Sequence, residues 1–216
     1  TLPQQGSVSR WNALNGKVSE VESSIKGQET FVPLTLEAEQ SILLAQMIGR
    51  NSGTIEKQKV VEQLELSNDS WTLAVEGYSQ RKPFAQSFNN FTLTDWQDIS
   101  ELATFSGAGQ YTKNFNIDQA WIGNSQDIIL SLGQVNDIAE VTLNGKILPV
   151  LFTEPYTINV SKFVVEGQNS LSIKVSNTLQ NTMINPKKSG YKNLEPVSAG
   201  LLGPVTFELN QAIQDK

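Results

Sequence analysis

Apolar and polar residues alternate along most of this chain with the two-residue period of half-buried strands. The pattern is clearest at Ile138–Val150, where Val141 and Leu143 alternate with Glu140 and Thr142. Asn144-Gly145 then offers the two residues that most readily take the positive φ angles of a type I′ hairpin turn, and apolar residues resume at Ile147 and Leu148. The same alternation predicts strands at Val60–Leu66, at Trp71–Val75 after the turn Asn68-Asp69-Ser70, and at Gln110–Ile117 around Tyr111 and Phe115. Asp127–Leu132, Tyr156–Val160, Ser170–Ser176 and Pro204–Leu209 complete the series, with Ser161–Val165 a short turn or helix. No segment carries a helical pattern longer than about two turns. Strands at this spacing, with turn signals between them, predict an all-β sandwich or jelly roll.

The first 58 residues read differently. Lys17–Ile25 and Thr30–Leu36 are strand candidates, and Ser41–Met47 is open to two readings, because Glu37-Ala-Glu-Gln before it suits either a helix start or a turn between strands. A segment this short with few large apolar groups makes a marginal domain. Residues 1–58 are therefore expected to be trailing strands of a preceding β domain plus a linker, the latter at Gly49-Arg-Asn-Ser-Gly-Thr54, and residues 59–216 a jelly-roll domain. Thr1 opens amid polar sequence, which reads as part of something longer.

Composition narrows the chemistry. The 216 residues include no histidine and no cysteine. That removes thiol nucleophiles, disulfides, Cys/His zinc sites, Ser-His-Asp triads and imidazole bases from what this chain supplies. A net charge of −6 argues against nucleic-acid binding, which needs clustered Lys and Arg; Lys187-Lys188 reads as a solvated loop. No apolar run reaches the length of a membrane span.

Several short pieces then fall into a specific order: Trp71-Thr-Leu, Trp96, Phe105-Ser-Gly-Ala-Gly-Gln-Tyr111, Leu132-Gly-Gln-Val135, Ala139-Glu-Val-Thr-Leu-Asn-Gly145, Glu154-Pro-Tyr156, Gly167-Gln-Asn169, Val175-Ser-Asn177 and Gly200-Leu-Leu-Gly-Pro-Val205. Over roughly residues 60–210 the series resembles the galactose-binding-like jelly-roll domain of family 2 glycoside hydrolases. Phe-Ser-Gly with a terminal Gly-Leu-Leu-Gly-Pro-Val resembles in particular the C-terminal β domain of bacterial α-L-rhamnosidase-like enzymes of the family 106 type. Phe152 and Ala199 depart from the usual Trp and Ser of that pattern. The resemblance implies a non-catalytic accessory domain that supports a catalytic domain elsewhere in its parent chain and contacts carbohydrate, in a periplasmic or extracellular enzyme. The other reading is an autonomous carbohydrate-binding module.

Glycoside cleavage needs two carboxyl groups flanking a substrate cleft. Asp95/Asp98, Asp98/Glu101 and Asp137/Glu140 are the neighbouring pairs, with loop and strand-surface charge as the alternative for each. Sugar binding on a β-sandwich calls for an exposed aromatic ring beside amide or carboxylate groups. Trp71 falls in strand phase with Leu73 and reads as core, and Trp96 as a plug before the Phe105 strand. Trp121, in the polar run Asp118–Ser125, is the foremost platform candidate, with packing at the sandwich edge as its alternative. Tyr191, beside Asn193 in the loop Asn185–Ser198, is the second. No cofactor is expected; Asp118, Asn124, Asp127, Asn136 and Asp137 are the oxygen ligands on offer to a structural calcium, although ordinary turn chemistry explains them as well.

Overall fold

A computed structural model describes residues 1–12, 18–36, 41–48, 58–123, 126–184 and 194–212. The chain divides into two compact units, Thr1–Gln58 together with Ala212–Lys216, and Lys59–Gln211. The linker expected at Gly49–Thr54 and the segment Glu37–Gln40 lie outside the described residues.

The first unit contains β1 (Gly6–Trp11), β2 (Val18–Glu20), β3 (Ser24–Lys26), β4 (Glu29–Phe31) and β5 (Leu43–Ile48). They form a three-stranded antiparallel sheet in the order β2-β1-β5 and a β3-β4 hairpin. Residues 43–48 are thus strand, which settles the helix alternative. The strand expected over Thr30–Leu36 shrinks to its first two residues. Its anchor is Thr30, whose buried hydroxyl donates to the Gln4 carbonyl and accepts from the Gly6 N–H.

The second unit is the expected β-sandwich. Its elements are β6 (Gln58–Glu65), β7 (Trp71–Ser79), β8 (Lys82–Phe91), β9 (Phe105–Ile117), β10 (Gln126–Ser131), β11 (Gln134–Asn136) and β12 (Ile138–Leu143). There follow β13 (Lys146–Ile147), β14 (Thr157–Asn159), β15 (Gly167–Ser176), a single helical turn α1 (Gln180–Met183), β16 (Gly200–Gly203) and β17 (Thr206–Ala212). One sheet runs β13-β12-β15-β9-β7-β8; a second runs β14-β10-β17-β6, and β11 pairs with β16.

The core lies between the sheets. Trp71, Leu73 and Val75 of β7, Tyr111 and Phe115 of β9, Val141 and Leu143 of β12, and Leu171, Ile173 and Val175 of β15 all point inward and are buried. Ile128 and Leu130 of β10 and Phe207 of β17 meet them from the other sheet, and Phe115 stacks on Phe207 with ring centroids 4.6 Å apart. Burying each such side chain is worth about 1.5–3 kcal/mol, which is why a strict period of two suffices to place every strand.

Polar groups inside this core converge on one oxygen. The Tyr111 hydroxyl accepts from Trp96 Nε1 at 2.7 Å and from the Leu201 backbone N–H at 3.1 Å. Gly200 lets the β16 backbone come this close: it has φ +101°, and a Cβ there would lie 2.7 Å from Trp96 Nε1 and 2.8 Å from the Tyr111 oxygen. Trp96 itself packs edge-on against Phe105, with centroids 5.2 Å apart, so it plugs the loop as its sequence position implied.

The turns are held by asparagines. Asn144 and Gly145 take φ +51° and +74° between the paired residues Leu143 and Lys146, the type I′ geometry expected of them. Asn144 Nδ2 also donates to the Phe163 carbonyl and to Asn169 Oδ1, while its own Oδ1 accepts from the Ser170 N–H. Asn177 Nδ2 donates to the Phe105 carbonyl and its Oδ1 accepts from the Gly107 N–H, tying the end of β15 to the start of β9.

Two predictions follow from this core. Tyr111→Phe orphans two buried donors and should lower the unfolding free energy by about 2–6 kcal/mol in urea titration, at about 1–3 kcal/mol per unsatisfied group. Burial pushes the Tyr111 hydroxyl above its ordinary value of 10.0. Its folded form therefore keeps the proton when the unfolded form loses it. This contribution leaves stability flat below about pH 10 and makes it fall above, and Tyr111→Phe should lack that share of the alkaline decline. Secondly, Gly145→Ala meets no neighbour and should cost only the about 1–2 kcal/mol of a positive φ, whereas Gly200→Ala adds a collision with the Tyr111–Trp96 pair and should cost clearly more. Equal losses in thermal melts of the two variants would contradict that ordering.

Candidate functional site

The carboxylates singled out in the sequence have structural occupations. Asp95 Oδ1 caps the turn at Trp96–Asp98 by accepting from the Gln97 N–H, and it also accepts from the Ala199 N–H at 3.0 Å. Asp98 accepts from the Thr94 hydroxyl, and Asp137 from the Thr178 N–H. Glu140 forms an ion pair with Lys174 at 2.9 Å. Glu101 is fully exposed, and the Ser100 hydroxyl bonded to it holds its carboxyl below the usual range. A glycosidase general acid needs the opposite displacement.

Two of the residues considered as oxygen ligands for calcium take part in hydrogen bonds with other side chains. Asp127 Oδ1 accepts from Asn159 Nδ2, Asn136 Nδ2 donates to the Ser198 hydroxyl, and Asn124 lies outside the described residues. Among the described residues no three carboxylates come together in a way that would hold a metal ion.

Trp121 requires a correction. It is only 3% exposed and belongs to the core cluster, at the end of the short 3-10 turn Gln119–Trp121. Its polar sequence neighbours face solvent, while the indole turns inward as the largest apolar group of the loop. Packing at the sandwich edge is therefore its role, and it presents no platform to a sugar. Tyr191 and Asn193 lie outside the described residues. Trp71 is fully buried, as its strand phase required, and Lys113 Nζ sits 5.2 Å from its ring centre. Burial holds the Lys113 ammonium below the ordinary lysine value, and Nζ donates to the Ser67 and Asp69 carbonyls.

Sequence reasoning missed the strand β8, which lines a cleft on the outward side of the sheet. β8 joins β7 through Gln80-Arg81, both at positive φ (+49° and +65°), between the paired residues Ser79 and Lys82. This is a two-residue I′-type turn without the Asn or Gly that usually announces one. Pro83 is tolerated because β8 forms the sheet edge, where a missing N–H leaves no ladder bond unmade. With β8 in place, the outward side of the six-stranded sheet bears a cleft of about 470 Å³, lined by Ala74 and Glu76 of β7, Ala85 and Ser87 of β8, Ala108 and Gln110 of β9, and Lys174 of β15. Tyr78, half exposed, stands on the same side of β7.

The family model described as glycosyl hydrolases family 2, sugar binding domain, matches residues 55–191. This chain belongs to that family. The family 2 sugar-binding domain here is similar to a putative β-glucuronidase of Formosa agariphila, 34% identical over 98 residues, covering 44% of this chain and 8% of that protein. The solved structure of a rhamnosidase from Novosphingobium sp. PP1Y matches at 25% identity with a TM-score of 0.70, over 98% of this chain and 21% of the enzyme. The chain thus spans a small part of the relatives it matches. Its sandwich is the galactose-binding-like fold that the sequence resemblance implied, and the ordered short motifs become the turns, inner strands and close approaches described above.

Because Trp121 is core, Trp121→Ala should cost about 3–5 kcal/mol of stability, measured by denaturant titration. A loss below about 1 kcal/mol would contradict the buried placement.

Proposed function

We propose that this chain is a non-catalytic accessory domain of a larger, rhamnosidase-like glycoside hydrolase, one that supports the catalytic domain of its parent chain and contacts carbohydrate. The observation that carries this reading is the match of 98% of the chain to 21% of the Novosphingobium rhamnosidase. A segment that corresponds to about a fifth of an enzyme, with the carboxylate pairs considered for catalysis engaged as caps and surface partners, is best explained as architecture around chemistry done elsewhere. In the same reading the parent is a periplasmic or extracellular enzyme, where polymeric substrates are met. A chain without cysteine neither requires nor opposes that compartment.

The second reading, an autonomous carbohydrate-binding module, draws support from the family's description as a sugar-binding domain. The two differ in what removal does. An accessory support, deleted from the parent, should lower the melting temperature of the remaining enzyme and its turnover of a small aryl glycoside. An autonomous module, deleted, should spare the small substrate and slow only polymer cleavage. In both readings the isolated chain should release no aryl group from an aryl α-L-rhamnoside or an aryl β-D-glucuronide above the buffer rate. Release that persists through purification would overturn the non-catalytic assignment.

A further inference from the structure

We propose that the outward side of the six-stranded sheet is a binding site for a neutral oligosaccharide, which lies in the trough over Ala74 and Ala108 and stacks on Tyr78. The inference rests on the reading of this chain as a carbohydrate-contacting accessory domain and names the surface that makes the contact. The period of two that buries Trp71, Leu73 and Val75 turns Ala74, Glu76 and Tyr78 of the same strand outward. Register then aligns the site across strands. Ala74 pairs with Ser87 on one side and with Gln110 on the other, and Gln110 pairs with Lys174. From Ser87 to Lys174 the trough crosses three inter-strand spacings, about 14 Å, room for a short oligosaccharide.

Small side chains make the floor and longer ones the sides. Ala85, Ala108 and Ser87 leave the backbone pleat open, and Glu76, Gln110 and Lys174 rise around it. One end is closed by α1. Ser106, the partner of Tyr78 in the ladder, is covered because its hydroxyl accepts from the Thr182 N–H, while the Thr182 hydroxyl accepts from the Arg81 N–H. Tyr78 stands 51% exposed beside this closed end, about 7 Å along β7 from Glu76. An exposed tyrosine offers an apolar ring face to the C–H face of a pyranose and a hydroxyl to its rim. Glu76 accepts from sugar hydroxyls, and the Gln110 amide both donates and accepts.

Charge selects the class of sugar. Lys174 is paired with Glu140, 2.9 Å away, so Glu76 is the charged lining residue without an ion pair among the described residues. Arg81 in the hairpin turn and Lys82 at the start of β8 lie beyond Tyr78, and neither lines the trough. A uronate over Ala74 and Ala108 would meet the Glu76 carboxylate, and the described lining there offers no cation but the paired Lys174, whereas a neutral glycan meets hydrogen-bonding groups.

The test is a titration of the isotopically labelled 216-residue chain, followed by amide NMR, with cellotetraose and xylotetraose as neutral probes and tetragalacturonate as the acidic one. Shifts should centre on Ala74, Glu76, Tyr78 and Gln110 with a neutral probe and be weaker with tetragalacturonate. Tyr78→Ala should weaken binding by about tenfold, on the scale of one lost aromatic contact. Ala74→Leu should fill the floor and abolish binding. Both positions face solvent, so melting curves that match the parent chain will show that folding is intact. Tighter binding of tetragalacturonate would overturn the neutral assignment. Shifts confined to the loops would overturn the trough while leaving carbohydrate contact in place. No shift with either neutral probe would overturn the site but leave the support role, which the deletion experiment on the parent enzyme decides separately.

Discussion

The Tyr111 hydroxyl is the point where this sandwich is tied together. It takes one hydrogen bond from an indole in the loop before β9 and one from the backbone of β16, deep between the sheets. Both donors are buried, so both require an acceptor, and the core around them is otherwise apolar. The loop beyond Trp96, the glycine approach at Gly200 and the closing strand β17 all take their positions from this contact. The Gly-Leu-Leu-Gly-Pro-Val segment is thereby explained physically. Its first glycine lets the backbone reach Tyr111 without a Cβ in the way, and Gly203-Pro204 turns the chain into the last strand.

A second polar layer, centred on the buried Asn169, holds the turns. Asn144 and Asn169 bond each other and the backbone of Phe163, Val165, Gly167 and Ser170. Asn177 spans from β15 to β9. These residues carry the family's motifs, and every one of them is spent on turns and strand ends. Family membership in this chain is therefore written in architecture. Asp95 makes the same point among the acidic groups, since it caps a turn and holds Ala199, and so pins the approach to Gly200.

What was legible in the sequence follows from which physics each element uses. The β12–β13 hairpin announces itself because Asn-Gly is the cheapest pair at positive φ. The β7–β8 hairpin does not, because Gln80-Arg81 adopt the same geometry under the tertiary pull of Phe84, Phe88 and Phe91, which pack toward the core. The inner strands show the expected phase, but β9 begins at Phe105, five residues before the expected Gln110, because Ser106–Gly109 pair in the ladder with β7 and β15. Trp121 was misplaced as a platform because its neighbours are polar, and a local window cannot tell a solvent-facing indole from one drawn into the core by its own area. Tyr78 went unnoticed for the converse reason. It ends a strand whose inward residues dominate the pattern, and its surroundings exist only once β8 is paired.

The division of labour along β7 carries this further. One strand supplies a fully buried indole of the core and, one residue out of phase, the small and polar side chains that line the cleft. Inward positions are constrained by packing against Tyr111 and Phe91, with ring centroids of those two 5.9 Å apart, so they have little freedom to change. Outward positions carry no such constraint. Function can therefore be added to this sandwich without disturbing it. In a domain where Asp95, Asn144, Asn169, Asn177 and Gly200 are committed to holding the fold, the outward phase of the inner strands is where chemistry of recognition has room to reside.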